Sequence, residues 1–233
     1  MKAIIGGSGI DKILDITGIQ YIETKYGKAK YYKENNIIYV LRHGENHEYP
    51  PHLVNYKANV EALSMLGVDE CISIYCVGSI SNKFPPGIST IMCDFLDFTT
   101  RGNKTFSEVG NVFHTDMVDI FDESLQTKIV NKSKDFGIDM HLGGIYVATE
   151  GPRFESPAEI RMYSLLGGDF VGMTAIPEIT LMKEKKIKIA SIAYSINWCS
   201  GITGDSQIDF VSDEEVQNIS TNLLNICRKV LLK

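Results

Sequence analysis

The feature that most constrains this chain is a rhythm. Short apolar runs rich in β-branched residues recur along it, separated by stretches whose apolar residues keep helical spacing. AIIGG opens the chain as a strand running into a glycine turn. NIIYVLRHG, ECISIYCVGS and GISTIMCDFLDF read as further strands, followed by GGIYVATEG, DFVGM and KIKIASIAYSI. Helical spacing marks residues 54 to 66, 157 to 166 and 176 to 185. In the last helix Ser212 and Glu215 form a capping box, with Val216, Ile219, Leu223, Ile226 and Val230 on one face. This alternation predicts an α/β fold: a mixed, largely parallel sheet with helices on both faces. In such sheets ligands gather at the carboxyl ends of strands, so residues just past each strand are the candidates for chemistry.

The 233 residues fit one α/β domain spanning 1–233, with no internal repeat, low-complexity tract or linker. A formal charge of -6 weighs against a nucleic-acid or acidic-membrane partner, since those ligands want basic surfaces. Cys71, Cys76, Cys93, Cys199 and Cys227 are scattered, with no zinc spacing, so buried reduced thiols are expected and no metal. The chain starts directly into MKAIIGGSGI, without a leader pattern, and no apolar run approaches a membrane span, so a cytoplasmic location is expected.

Five stretches carry candidate chemistry. In AIIGGSGI the spacing Gly7-Ser8-Gly9 begins a dinucleotide fingerprint, but Lys12 occupies the third glycine's place. What remains is a turn whose N–H groups and Ser8 hydroxyl can cradle phosphate, or a plain strand-to-helix turn. LRHGENHEYPPH ends a strand with Arg42-His43-Gly44 and adds His47 and His52. The arginine fork suits an oxyanion, and a surface loop is the alternative. In GMTAIPE the Thr174 hydroxyl can cap a helix or hold an anion at its N-terminus. AYSINWCSG leaves a strand with Asn197, whose amide can read a heterocycle or form a turn, before a run to Asp205.

EGPRFESPAEI, residues 150 to 160, holds the fifth. Ser156 and Glu159 make a capping box with Pro157 at the first helical position. Glu155 is left over, where a hydrophobic staple would normally sit, so another role is expected for it. No Ser-His-Asp order or G-x-S-x-G elbow appears. The rival classes are a nucleotide-cofactor oxidoreductase, for which the third glycine is missing here, and a non-catalytic binder of an aromatic base, which has no use for phosphate donors.

With these residues assembled, the chain resembles the trimeric-type nucleoside phosphorylases, the group of purine nucleoside and methylthioadenosine phosphorylases. The resemblance runs in order through IIGGSGI, RHGENH, VNYKAN, VGS, DFLDFTT, TEGPRFES and GMTAIPE. It implies an α/β sheet partly closed into a barrel, and phosphate-dependent cleavage of a purine nucleoside. It implies a homotrimer or a dimer of trimers, with inorganic phosphate as co-substrate and no cofactor. Phosphate would be held by Ser8, Arg42, His43 and Thr174, with backbone help from Tyr75 and Cys76. The ribose would lie on Met173, with His114 reaching a neighbouring subunit's site. The base would stack on Phe154 and be read by Glu155 and Asn197, with Cys199 nearby. Phe210 or Asp213 would line the pocket for the 5′ end. Arg42, Glu155 and Asn197 are the residues expected to carry catalysis. Glu155 with Asn197 matches the N1–H and O6 of a 6-oxopurine such as inosine or guanosine, with methylthioinosine, or methylthioadenosine, as the alternative substrate.

Overall fold

A computed structural model describes residues 1–10, 14, 18–102, 104–204 and 207–232; Lys12 and Asp205 lie outside the described residues. The strands are β1 (Lys2–Gly6), β2 (Gln20–Thr24), β3 (Gly27–Glu34), β4 (Ile37–Leu41), β5 (Glu70–Ser79), β6 (Ser89–Ile91), β7 (Asp94–Asp97), β8 (His141–Leu142), β9 (Ile145–Ala148), β10 (Phe170–Gly172) and β11 (Lys188–Trp198). The helices are α1 (Tyr56–Met65), α2 (Glu123–Ser133), α3 (Pro157–Leu165), α4 (Ala175–Glu184) and α5 (Asp213–Leu231). None of the described helices is long and apolar enough to cross a membrane.

Side-chain alternation along the strands sorts the core into two layers. Ala3, Ile5, Ile38 and Val40 point to one face, where Tyr56, Val60 and Leu63 of α1 and Ile179 and Met182 of α4 cover them. Ile4, Ile37 and Tyr39 point to the other, against Leu125 and Ile129 of α2 and Leu223, Ile226 and Val230 of α5. Helix α3 packs Ile160 and Tyr163 on Val147 and Val171 of β9 and β10.

The sheet runs β2-β3-β4-β1-β5-β10-β9-β7, with β11 added to β5 and β6, and β8 to β6. Pairing is parallel for β1 with β4 and β5, β5 with β11, β9 with β10 and β7, and β6 with β8. The expected mixed, mostly parallel sheet is what forms. GISTIMCDFLDF, expected as one strand, splits because the chain changes partners midway. The Met92 N–H goes to Ser191 O (2.9 Å) beside β11, and the Cys93 N–H to Gly144 O (3.1 Å) beside β9. The β2–β3 hairpin and α2 have no counterpart among the expected elements.

Strand β5 positions the site. Along one edge it pairs with β11 from Glu70 to Ser79. Along the other it pairs with β1 only over residues 70–73 and with β10 only over 78–79. Between those partners, residues 74–77 face a gap at the carboxyl end of β1. Cys71, Cys199 and Cys227 are buried thiols as expected, but Cys93 is exposed and accepts the Gly144 N–H at 3.3 Å.

Candidate active site

A cavity of about 230 Å³ opens at this gap. Its walls include Ser8, Arg42, His43, Cys76 and Thr174 on one side, and Phe154, Glu155, Met173, Asn197, Cys199 and Phe210 on the other. Residues singled out from five separate stretches therefore share one space. Larger clefts exist, one of about 560 Å³ walled by Lys2, Lys128, Lys132 and Lys229. In that cleft Lys2 and Lys132 are ion-paired with Glu70 and Asp135, and its lining lacks the buried polar groups that fix a ligand's orientation, so the smaller cavity is the candidate.

Arg42 leaves β4 only 2% exposed. Its Nε and Nη2 each donate to Glu178 at 2.8 Å, a bidentate fork, and its Nη1 donates to Ile74 O at 3.2 Å. Burial opposes the charge, but attraction and hydrogen bonds to Glu178 more than offset it, raising the guanidinium pKa above its ordinary value. Glu178 is fully buried and also accepts from the Tyr75 hydroxyl at 2.7 Å, and the Tyr75 ring lies 4.4 Å from the Arg42 guanidinium carbon. The neighbouring turn must stay bare: a Cβ on Gly7 would meet Arg42 Nη1 at 2.7 Å. His43 contacts Tyr49 O through Nδ1 at 2.7 Å and stacks on His47, centroids 4.4 Å apart.

Thr174 is the N-cap residue of α4, yet its side chain makes no capping bond. The N–H groups of Thr174 and Ala175 go instead to the buried Tyr146 hydroxyl, at 3.2 and 3.3 Å. Burial raises the Tyr146 hydroxyl to about 12, so it stays protonated in spite of those two donors. The helix end thus offers the cavity a hydroxyl rather than bare amides.

Glu155 precedes α3, whose capping box forms in both directions: Ser156 takes the Glu159 N–H and Glu159 takes the Ser156 N–H. That box fixes the chain's entry angle and turns Glu155 inward, 7% exposed, where its Oε1 accepts from Thr149 at 2.6 Å. Asn197 is 4% exposed and lies past an irregularity in the β5–β11 register between Ser195 and Asn197. Opposite it, Gly78 leaves room: a Cβ there would meet Cys199 Sγ at 2.8 Å and Asn197 Nδ2 at 3.1 Å. Phe154 and Phe210, half exposed with centroids 5.9 Å apart, form an apolar rim.

Three expected site residues lie elsewhere. Tyr75 is absent from the cavity because its hydroxyl is spent on Glu178. Its backbone is turned away as well. Ile74 O faces the Arg42 side while Ser79 O accepts from Cys199 N on the β11 side, so strand alternation aims the Tyr75 N–H at β11 and the Cys76 N–H at the gap. Asp213 sits exposed in the first turn of α5, where Ser212 caps Glu215 N. The reciprocal half of that expected box is missing, and of the two 5′-pocket candidates only Phe210 reaches the cavity. His114 is exposed on the segment between β7 and α2, outside its own chain's cavity. Glu178 was visible in GMTAIPE only as a helix acid; its inward face shared with Ile179 and Met182 was the available signal.

Comparison with known proteins gives the chain's family. A protein of Moorella thermoacetica named "probable 6-oxopurine nucleoside phosphorylase" is 43% identical over 93% of this chain and 85% of its own. A protein of Methanocaldococcus jannaschii named "probable S-methyl-5'-thioinosine phosphorylase" is 40% identical over 87% of this chain and 81% of its own. Among solved structures, methylthioadenosine phosphorylase from Schistosoma mansoni in complex with tubercidin superposes with a TM-score of 0.83 at 25% identity, over 99% of this chain and 88% of that one. The family model described as the phosphorylase superfamily matches residues 2–232, and the chain belongs to that superfamily.

Proposed function

We propose that this protein cleaves 6-oxopurine nucleosides with inorganic phosphate, releasing free base and ribose 1-phosphate. The observation that carries the reading is a buried carboxylate, Glu155, facing the same 230 Å³ cavity as Asn197, Arg42 and Thr174. A 6-oxopurine presents N1–H to a carboxylate, whereas a 6-aminopurine presents a lone pair there and leaves the acceptor unmatched. The Thr149 hydroxyl on Oε1 leaves the second carboxylate oxygen for that N–H. Asn197 donates to O6 and accepts from N7–H as the base departs.

Cleaving the glycosidic bond makes an oxocarbenium-like sugar and an electron-rich leaving base. Phosphate held by Arg42, Ser8, His43, the Thr174 hydroxyl and the Cys76 N–H serves as nucleophile and counter-charge together. Asn197 binds the departing base more strongly in the transition state than in the ground state, which raises turnover. The reading asks for no metal or organic cofactor, places the enzyme in the cytoplasm, and makes it a trimer or dimer of trimers. His114 then serves a neighbour's site, supported by its exposure beside Val109, Val112 and Val118, whose side chains stand in solvent. S-methyl-5′-thioinosine is the second candidate substrate, favoured by the apolar rim of Phe154 and Phe210 and by the 40% identical relative of that name.

The test is release of free base from inosine, guanosine, adenosine, methylthioadenosine and methylthioinosine, with and without phosphate. Adenosine should be disfavoured by on the order of 10⁴, because a buried acceptor left unpaired is costly. Asn197→Asp should move preference toward 6-aminopurines. Phosphate-independent release, or a wild-type preference for adenosine, would overturn the reading.

A further inference from the structure

Arg101 follows β7 and does not line the cavity, yet its guanidinium reaches three segments that do. Its side chain is 9% exposed. Nη1 donates to Pro51 O at 3.2 Å and to the Tyr56 hydroxyl at 3.1 Å. Nη2 lies within hydrogen-bond distance of Thr149 O (3.2 Å), Glu150 O (3.0 Å) and Met173 O (3.1 Å). The Glu150 carboxylate is ion-paired with the same guanidinium, 3.4 Å from an Nε that makes no hydrogen bond among the described residues, and it accepts from the N–H groups of Thr100 (2.7 Å) and Arg101 (3.2 Å).

The four carbonyls belong to three different parts of the site. Pro51 ends the loop that carries Arg42, His43 and His47. Thr149 bonds Glu155 directly, and Met173 precedes Thr174. We propose that Arg101 is a positioning residue that fixes the phosphate-side wall against the base-side wall, an inference that rests on the phosphorolysis reading. The chemistry requires arginine. A planar fork with five donors can address carbonyls in several directions at once, whereas a lysine ammonium is a single point with three. Because the clamp touches carbonyl oxygens, it sets the distance between loops without contributing to base identity.

The test compares wild type with Arg101→Lys and Arg101→Met, by steady-state kinetics varying both substrates and by amide hydrogen exchange. In folded Arg101→Lys, kcat/KM should fall about 10- to 100-fold, since a misplacement near 1 Å costs that much. kcat should fall while KM rises for nucleoside and phosphate together, with the inosine-to-adenosine ratio unchanged. Exchange should quicken in residues 43–53, 149–155 and 173–174 at once. A variant that melts lower but keeps both KM values and kcat within twofold would make Arg101 a structural residue only. Faster exchange confined to residues 100–102 would equally overturn the proposal. Should wild type release no base from any nucleoside, the phosphorolysis reading falls, and the exchange pattern alone decides whether Arg101 couples the walls. If Arg101→Lys does not fold, Tyr56→Phe and Glu150→Gln loosen the same clamp and carry the same measurements.

Discussion

Glu178→Gln is the most informative single change, because it removes a charge while keeping the shape. Arg42 is 2% exposed and Glu178 fully buried, so neither ion has water to fall back on. The carboxylate takes Nε on one oxygen and both Nη2 and the Tyr75 hydroxyl on the other. An amide has one acceptor. With its oxygen facing Nη2 and Tyr75, its NH2 opposes the Arg42 Nε–H, donor against donor. Flipping it moves the clash to Nη2. Either way one charge-assisted bond is lost and a buried cation loses its counter-ion. Breaking a buried pair from one side costs about 3–5 kcal/mol, and the surviving bond puts this variant near 3. At about 2–4 °C per kcal/mol for a chain of this size, the melting temperature should drop by about 6–12 °C.

The assay is thermal unfolding at fixed protein concentration, because assembly would make the midpoint concentration-dependent. Added phosphate should raise the variant's midpoint more than the wild type's, since it supplies the missing anion. Replacing the whole group, as Arg42→Met with Glu178→Leu and Tyr75→Phe, should recover part of the stability and none of the activity, because an apolar set needs no counter-ion but leaves the Ile74 carbonyl without its donor. A Glu178→Gln midpoint within 2 °C of wild type would refute the reasoning.

Gly78→Ala should raise the nucleoside KM and destabilise the fold by about 1–3 kcal/mol, since its Cβ would meet Cys199 Sγ at 2.8 Å; adding Cys199→Ala should relieve much of both effects in the same kinetic and melting assays. Glu159 is held at about 2 by the Arg153 side chain and the Ser156 N–H, below its ordinary value, so its contribution is fully present above about pH 4.5. The stability gap between wild type and Glu159→Gln should therefore shrink as pH falls from 4.5 toward 2, followed by circular dichroism. Cys76, pushed up to about 12 mainly by burial, should resist iodoacetamide at pH 8 while exposed Cys93 reacts, as read by peptide mass spectrometry.

What the sequence announced and what it concealed divide by range. The capping box at Ser156 is written within four residues, and it forms as read. Arg42, Thr174 and Glu155 each stand just past a strand or before a helix, and Asn197 stands at the carboxyl end of β11, where the fold class alone directs attention. The β2–β3 hairpin gave little warning because its residues are mostly polar and Ala29 alone of them is buried, and α2 buries only Leu125, Ile129 and Ser133. Glu178 lies 136 residues from Arg42, and Arg101 draws on carbonyls 48 to 72 residues away. Backbone acceptors have no side-chain signature, so nothing in the residue string marks the Arg101 clamp.

The cavity itself follows from one interruption in the sheet. A central strand ordinarily satisfies its backbone on both edges, and β5 does so except where β1 has ended and β10 has not begun. Over residues 74–77 the gap edge needs other partners, and the fold supplies one from the side chain at the end of the adjacent strand: Arg42 donates to Ile74 O. Reaching that carbonyl buries the guanidinium, and burying it requires Glu178, which Tyr75 holds from the same strand. The next backbone group on that edge, the Cys76 N–H, is a donor facing the cavity that Arg42 also lines. Among the described residues no side-chain acceptor closes the gap there, and this is the donor that the proposed reading gives to phosphate.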